Sequence, residues 1–202
     1  MKIKICGLSR IADIDAVNHA LPDYIGFVFT QSKRQVDIKI AAALKEKLDA
    51  RIKTVGVFVN EEADKIAEIC KKGIIDVVQL HGNETDEYIN SIKNLCACKI
   101  IKSVGIIDSL PNLPNTADYL LFDSVSKQGG GAGKAFCWEA LQNYSGIPWF
   151  LAGGLDNGNI IRALNMLKPY GVDVSSGVET NGIKDAEKIY EFVRIARGFN
   201  NG

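Results

Sequence analysis

Two side chains that can move protons, a thiol and a carboxyl, stand at the ends of strand-like runs. Cys6 closes the alternating run Lys2–Cys6 and is followed by Gly7. Asp123 ends the apolar run 119–122, where partial burial favours the protonated form of a carboxyl and suits it to donate a proton. The alternative, a helix N-cap aspartate, is weakened because a glycine-rich loop comes before any following helix.

The alternation in Lys2–Cys6 predicts where its side chains point. Residues of one parity share a face of a strand, so Lys4 points with Cys6, while Ile3 and Ile5 point the other way. This arrangement needs apolar partners outside the strand and a polar site inside it, as in a parallel barrel with an outer layer of helices. An edge strand with solvated lysines is the alternative.

Further polar residues follow the later strand-like runs. Arg34 comes after the second run, and its guanidinium could hold a substrate carboxylate by a bidentate pair; an ordinary surface arginine fits equally well. Gln79 and His81 share parity with each other. They are either a hydrogen-bonded core pair or contacts to a ligand.

Asp173 is the predicted partner of Lys4. It shares parity with Ser175, which should line the mouth, and closure of a barrel brings the eighth strand beside the first. An unpaired ammonium inside the barrel would be costly, so a buried ion pair is expected. We also expect Asp173 to contact the substrate.

Two glycine-bearing loops late in the chain predict a phosphate site. The residues concerned are Gly153, Gly154, Ser175, Ser176 and Gly177. Glycine lets backbone N–H groups approach an anion, and a helix start adds partial positive charge. Loops after strands seven and eight are the usual phosphate site of eight-stranded parallel barrels, which favours phosphate over ordinary tight turns.

A third glycine-rich segment, 128–134, is interpreted as a mobile loop that closes over a ligand. It is not a nucleoside triphosphate loop, because Gln128 and Ala135 stand where that motif has glycine and serine or threonine.

Strand-like and helix-like runs alternate along the whole chain. Strands are predicted at Lys2–Cys6, 24–29, 54–59, 76–80, 98–104, 118–122, 148–152 and 172–175. Helices are predicted at Ile11–Ala20, 37–48, 61–72, 84–95, 106–113, 138–144, 157–167 and 186–196, the fifth of them weak. Eight βα units in 202 residues predict one α/β domain, 1–202, a (β/α)8 TIM barrel near its minimum length. An open doubly wound sheet is the rival, but its glycine fingerprint does not follow the first strand.

Composition limits the partners. Lys and Arg total 24, as do Asp and Glu, so no net positive charge is available for nucleic acid or an anionic membrane. No apolar run approaches the ~20 residues that span a bilayer, and Met1 leads straight into a strand rather than a secretory signal. We expect a cytoplasmic monomer or homodimer that binds a small phosphorylated molecule.

Five cysteines, at positions 6, 70, 96, 98 and 137, are odd in number and scattered, which indicates reduced thiols in a cytosolic protein. Cys96 and Cys98 have one residue between them, not the two or more of usual zinc knuckles, and His19 and His81 are distant in sequence. No metal site is predicted.

Seven motifs occur in a fixed order over essentially the whole chain. They are 4–7, 26–29 with 32–34, 55–60, 79–82, Asp123 with 129–133, 151–155 and 172–179. In this combination the sequence resembles the phosphoribosylanthranilate isomerase family. The resemblance implies a TIM barrel, the Amadori rearrangement of N-(5′-phosphoribosyl)anthranilate in tryptophan biosynthesis, and no metal or organic cofactor. It matches Cys6 to the family's general base and Asp123 to its general acid.

The resemblance also implies a layout for the substrate, with phosphate at the last two loops and the anthranilate carboxylate near Arg34. We expect Lys4 to favour the thiolate of Cys6. The chain departs from the family pattern at Cys137, commonly Asp, and at Ala132, commonly Thr or Ser, which affects only the anchoring of the loop. The alternatives are another sugar-phosphate isomerase or epimerase barrel, and a non-catalytic barrel that binds phosphorylated metabolites.

Overall fold

Eight parallel strands close into a barrel in the computed structural model, which describes residues 1–106, 109–124 and 138–199. Each strand pairs with the next along the chain, and β8 returns to pair with β1. The strands are β1 Lys2–Cys6, β2 Tyr24–Val28, β3 Lys53–Phe58, β4 Val77–Leu80, β5 Lys99–Ile106, β6 Tyr119–Ser124, β7 Trp149–Leu151 and β8 Gly171–Val174. The predicted closed barrel is confirmed, and the open sheet is excluded.

Helices follow most of the strands and cover the outside of the barrel. They are α1 Ile11–Ala20, α2 Ile38–Lys45, α3 Ala63–Lys71, α4 Asp86–Leu95, α5 Ile160–Met166 and α6 Ala186–Gly198. Three begin at a side-chain cap, because the side chains of Asp37, Thr85 and Asp185 accept hydrogen bonds from backbone N–H groups of the first turn. In the described part of the chain, no helix is long and apolar enough to cross a membrane.

The helical segment predicted at 106–113 is wrong for the residues described there. Strand β5 continues to Ile106, and residues 109–118 are irregular. Pro111 and Pro114 cannot donate helical hydrogen bonds. The Asp86 carboxylate, at the start of α4, accepts a hydrogen bond from the backbone N–H of Thr116 at 3.1 Å. This contact holds segment 109–118 against α4, and the segment does not form a helix.

Two shorter elements also differ from the sequence prediction. The helix predicted at 138–144 is a single 3₁₀ turn, Trp138–Leu141. After β8 comes a 3₁₀ turn, Ser176–Val178, and then an antiparallel hairpin of β9 Glu179–Thr180 and β10 Ile183–Lys184. The sequence reading contained no hairpin at this position.

The strand residues divide between two cores. Ile3 and Ile5 point outward and are fully buried in the layer between strands and helices, where each contributes about 1.5–3 kcal/mol. A separate apolar cluster fills the barrel interior; its members are Tyr24, Val55, Val77, Ile101, Leu121, Phe150 and Ala152. Polar side chains therefore remain to line the mouth, at the carboxyl ends of the strands.

Candidate active site

A buried ion pair lies inside the barrel. Lys4 is 0% exposed, and its Nζ is 2.9 Å from Oδ1 of Asp173, its partner in the β1–β8 register. The pair predicted from strand parity is confirmed. Burial disfavours the ammonium, but Asp173 and Cys6 outweigh this and raise the pKa of Lys4. Lys4 is therefore a fixed positive charge beside Cys6.

The Cys6 thiol occupies a slot between β1, β2 and β3. Val28 and Val57 pack against it, and only 8% of Cys6 is exposed. Gly26 stands opposite in the register, and a Cβ at Gly26 would lie 2.7 Å from Sγ. A larger residue at position 26 would therefore displace the thiol from its slot.

Burial is the largest influence on the pKa of Cys6. Burial raises the pKa of the thiol, and the carboxylate of Asp173 adds to this effect; the ammonium of Lys4 opposes both without overcoming them. The expectation that Lys4 favours the thiolate is confirmed in direction, since its ammonium lowers the pKa of Cys6. Burial is the larger effect and leaves the net pKa raised.

A second polar group lies across the mouth, on β4 and β6. His81 Nε2 is 3.6 Å from Oδ2 of Asp123, and the Gln79 amide nitrogen is 3.1 Å from His81 Nδ1. The side chains of His81 and Asp123 are 38% and 31% exposed, whereas Gln79 is buried. Burial and the charge of Lys4 lower the pKa of His81, so its imidazole is neutral at neutral pH. Within the described chain, Gln79 Oε1 has no hydrogen-bond partner.

Arg34 makes a bidentate pair, but with a protein carboxylate. Its Nε and Nη2 lie 2.6 Å and 2.8 Å from the two carboxylate oxygens of Glu179. Glu179 also lies 2.5 Å from Nζ of Lys184, and its side chain is 5% exposed. Burial opposes its ionisation, yet hydrogen bonds from Arg34 and Lys184 lower the pKa of Glu179 to about 2.

This rim group is joined to the mouth. Arg34 lies over Gly7, since a Cβ at Gly7 would be 2.4 Å from Arg34 Cδ. Lys184 donates to the carbonyl oxygen of Ser175 at 2.9 Å. No function was assigned to Glu179 or Lys184 from the sequence, because they belong to hairpin strands of two residues each, too short to show a periodic pattern.

The two loops predicted to bind phosphate touch each other. Gly153 and Gly154 have φ of 82° and 68°, which only glycine adopts readily. A Cβ at Gly177 would lie 1.8 Å from the carbonyl oxygen of Leu155, so the loop backbones are in direct contact. Ser175 Oγ donates to the Cys6 carbonyl oxygen at 3.0 Å, which ties this corner to β1.

Part of the predicted site lies outside the described residues. The glycine-rich segment 128–134, with Ala132, and also Cys137 belong to this part of the chain. The interpretation of 128–134 as a closing loop therefore stays a prediction.

Comparisons with known proteins agree with this geometry. Residues 3–195 match the family model described as N-(5'phosphoribosyl)anthranilate (PRA) isomerase. The N-(5'-phosphoribosyl)anthranilate isomerase of Endomicrobium trichonymphae is 47% identical over 197 residues, which are 97% of this chain and 98% of the relative.

Two solved structures show the same fold. The phosphoribosyl anthranilate isomerase from Thermotoga maritima superposes with a TM-score of 0.86 at 32% identity, over 98% of this chain and 100% of that one. A phosphoribosyl anthranilate isomerase in complex with reduced 1-(o-carboxyphenylamino)-1-deoxyribulose 5-phosphate has a TM-score of 0.81 at 29% identity, with coverage of 98% and 100%. The chain therefore belongs to the phosphoribosylanthranilate isomerase family.

Proposed function

We propose that this protein converts N-(5′-phosphoribosyl)anthranilate to 1-(2-carboxyphenylamino)-1-deoxyribulose 5-phosphate, the Amadori rearrangement of tryptophan biosynthesis. The observation that carries the proposal is a thiol at the end of β1 and a carboxyl at the end of β6, at one mouth with two touching glycine loops. Membership of the isomerase family supports it. The whole chain, 1–202, is one catalytic domain in this proposal.

The reaction needs one acid and one base. The ribofuranosylamine ring opens when its oxygen is protonated, and a proton then leaves the sugar C2. Asp123 is the proposed acid and Cys6 the proposed base. They stand on β6 and β1, so each can reach a different atom of one substrate.

The environment of Cys6 makes it a strong but scarce base. A raised thiol pKa means that little thiolate exists at neutral pH, while each thiolate formed holds a proton more tightly. Lys4 is the neighbouring cation that stabilises the thiolate when it forms. Asp173 contributes by holding Lys4 in place; the predicted contact of Asp173 with substrate stays a prediction.

His81 faces Asp123 across the mouth. A charged imidazole 3.6 Å away would favour the carboxylate, but the lowered pKa of His81 leaves the ring neutral. Gln79 contacts the other ring nitrogen and so orients His81. In this proposal His81 and Gln79 position the acid and contact the substrate at its edge.

The phosphate group is assigned to the loops after β7 and β8. In the described part of the chain, the backbone N–H groups of Gly154, Ser176 and Gly177 donate to no other residue, and converging N–H groups bind anions. Gly153 and Ser175 shape this corner, through a left-handed turn and a hydrogen bond to β1.

The anthranilate carboxylate is assigned to Arg34. A guanidinium has five N–H donors, and Glu179 accepts from two of the Arg34 nitrogen atoms. The remaining donors are available to a substrate carboxylate, while Glu179 keeps the guanidinium plane fixed.

Loss of anthranilate-type fluorescence from the substrate, measured on purified protein, tests the activity. Turnover is expected for the native chain. An epimerase of another sugar phosphate, or a barrel that only binds phosphorylated metabolites, would leave the fluorescence unchanged. Binding of the reduced product analogue separates these two cases from a damaged protein.

A further inference from the structure

Three thiols meet at the end of the barrel opposite the mouth. Cys70 lies in the last turn of α3, Cys96 directly follows α4, and Cys98 directly precedes β5. Their sulfur atoms all lie within 4.8 Å of one another. Ends of helices and starts of strands form the amino-terminal face of such a barrel, which serves stability and not catalysis.

In the sequence, Cys96 and Cys98 are one residue apart and distant from both histidines, which predicts no metal site. The fold adds Cys70 as a third sulfur, from another helix. Within the described residues, this is the one group of three His, Cys, Asp or Glu side chains close enough to share an ion. Cys70 is buried, and the other two are half-buried, so the group is accessible from one side.

The chemistry of three converging sulfurs favours a thiophilic cation. Zn–S bonds of about 2.3 Å in a tetrahedral site place two sulfur ligands roughly 4 Å apart, so the observed cluster needs only a small contraction. Thiolates select Zn²⁺ and other soft ions over Mg²⁺ or Ca²⁺. A redox pair would use two sulfurs and leave the third without a role.

Metal binding by this group would release protons, because cysteine binds zinc as the thiolate. Asp76 is nearby, but its Oδ2 already accepts from Lys45 and from the Thr54 backbone.

We propose that Cys70, Cys96 and Cys98 bind one Zn²⁺ ion, with solvent or an external ligand in the fourth position. The ion joins the end of α3 to the end of α4 and the start of β5. Its role is structural and is independent of the activity proposed for the mouth.

Metal titration of the reduced, chelator-treated protein tests the site. Co²⁺ should give thiolate-to-metal charge-transfer absorption and the visible bands of a tetrahedral ion at one equivalent. Zn²⁺ should displace it and raise Tm by mass action. Cys96→Ser and Cys98→Ser should each weaken Zn²⁺ binding by at least about 100-fold, since outer-shell partners alone are worth 10–100-fold.

Cys6→Ser is the matched control, because it removes one thiol at the opposite end of the barrel and should leave the Zn²⁺ affinity unchanged. The half-buried Cys96 and Cys98 are the positions to vary, and circular dichroism confirms that each variant is folded. Binding that survives both of these substitutions, or that is lost in Cys6→Ser, overturns the site. Absence of charge-transfer absorption also overturns it, as does a disulfide within the group combined with no metal uptake after reduction.

Discussion

Cysteines at the two ends of the barrel respond to their surroundings in opposite directions. Cys6, at the mouth, lies beside an ammonium and yet has a raised pKa, whereas Cys98, at the base, lies beside other thiols and has a pKa of about 7. The difference is that burial of Cys6, with the carboxylate of Asp173, outweighs the ammonium of Lys4, while Cys98 is half-buried and contacted by Cys70. A neighbouring cation does not by itself make a thiolate; burial and the partner of that cation decide the direction.

The largest expected effect is on catalysis, when the thiol at the mouth is replaced. Cys6→Ser should lower kcat by about 10²–10⁴-fold, the usual contribution of general acid–base catalysis, because a serine hydroxyl hardly ionises near neutral pH. Steady-state kinetics measure the change, and unaltered binding of the reduced product analogue serves as the control for folding. Near-normal kcat would show that another residue is the base, with His81 as the first to vary.

The next largest effect is on stability, when the cation beside Cys6 is removed. Lys4→Met leaves Asp173 buried without its partner, which should lower the free energy of unfolding by about 3–5 kcal/mol. Urea denaturation measures it. The double variant Lys4→Met/Asp173→Leu should recover most of the loss, because no unpaired charge remains; a double variant as unstable as the single one would contradict this account.

The charged rim offers a contrast to Cys6, because there the cations Arg34 and Lys184 together outweigh the effect of burial on Glu179. Glu179 has its pKa lowered from 4.5 to about 2, so its ionised form stabilises the folded state fully above pH 4.5. This stabilisation, about 3 kcal/mol at 1.36 kcal/mol per unit, is lost as the pH falls from 4.5 towards 2. Glu179→Gln should reduce stability at neutral pH and lack that acid-dependent loss, as measured by urea titrations across this range.

Steady-state kinetics of the same Glu179→Gln variant provide an independent test of the role of Glu179. Glu179→Gln should raise KM more than it lowers kcat, because Arg34 loses the partner that orients it and not its charge. An unchanged KM would separate Arg34 from substrate binding.

The smallest expected effect is a difference between Cys6 and Cys98 in the pH dependence of alkylation. Alkylation by iodoacetamide depends on the thiolate, so labelling of Cys98 should rise around pH 7 and labelling of Cys6 only above the ordinary thiol value of 9. Mass spectrometry of peptides from protein labelled at each pH resolves the two sites. Coincident profiles would mean that the two environments do not differ as described. Zn²⁺ should suppress labelling of Cys98 and leave labelling of Cys6 unchanged.

The sequence predicts the part of this molecule that depends on local pattern. Strand parity placed Lys4 inside the barrel, and closure of eight strands placed Asp173 beside it, because both follow from a strict two-residue period. The helix predicted at 106–113 failed since a side chain from α4, Asp86, holds a segment that contains two prolines. Local propensity cannot represent that contact.

Other features required three-dimensional distances. The pKa direction at Cys6 depends on whether burial outweighs the ammonium of Lys4, and strand parity predicts neighbours without predicting the degree of burial. The approach of Cys70 to Cys98 depends on how α3 packs beside the α4–β5 connection. Glu179 is the last residue of the motif 172–179, but its role appears only when a short hairpin brings Lys184 to it.

The backbone contact between Gly177 and Leu155 also restricts how the barrel can be recombined. With a Cβ at Gly177 placed 1.8 Å from the Leu155 carbonyl oxygen, the loops after β7 and β8 can only be exchanged as one unit. A chimera whose crossover point falls between β7 and β8 would join loops that were never fitted to each other. Crossover points between earlier strands keep this contact intact, so we expect functional chimeras of family members to inherit β7 and β8 from the same parent.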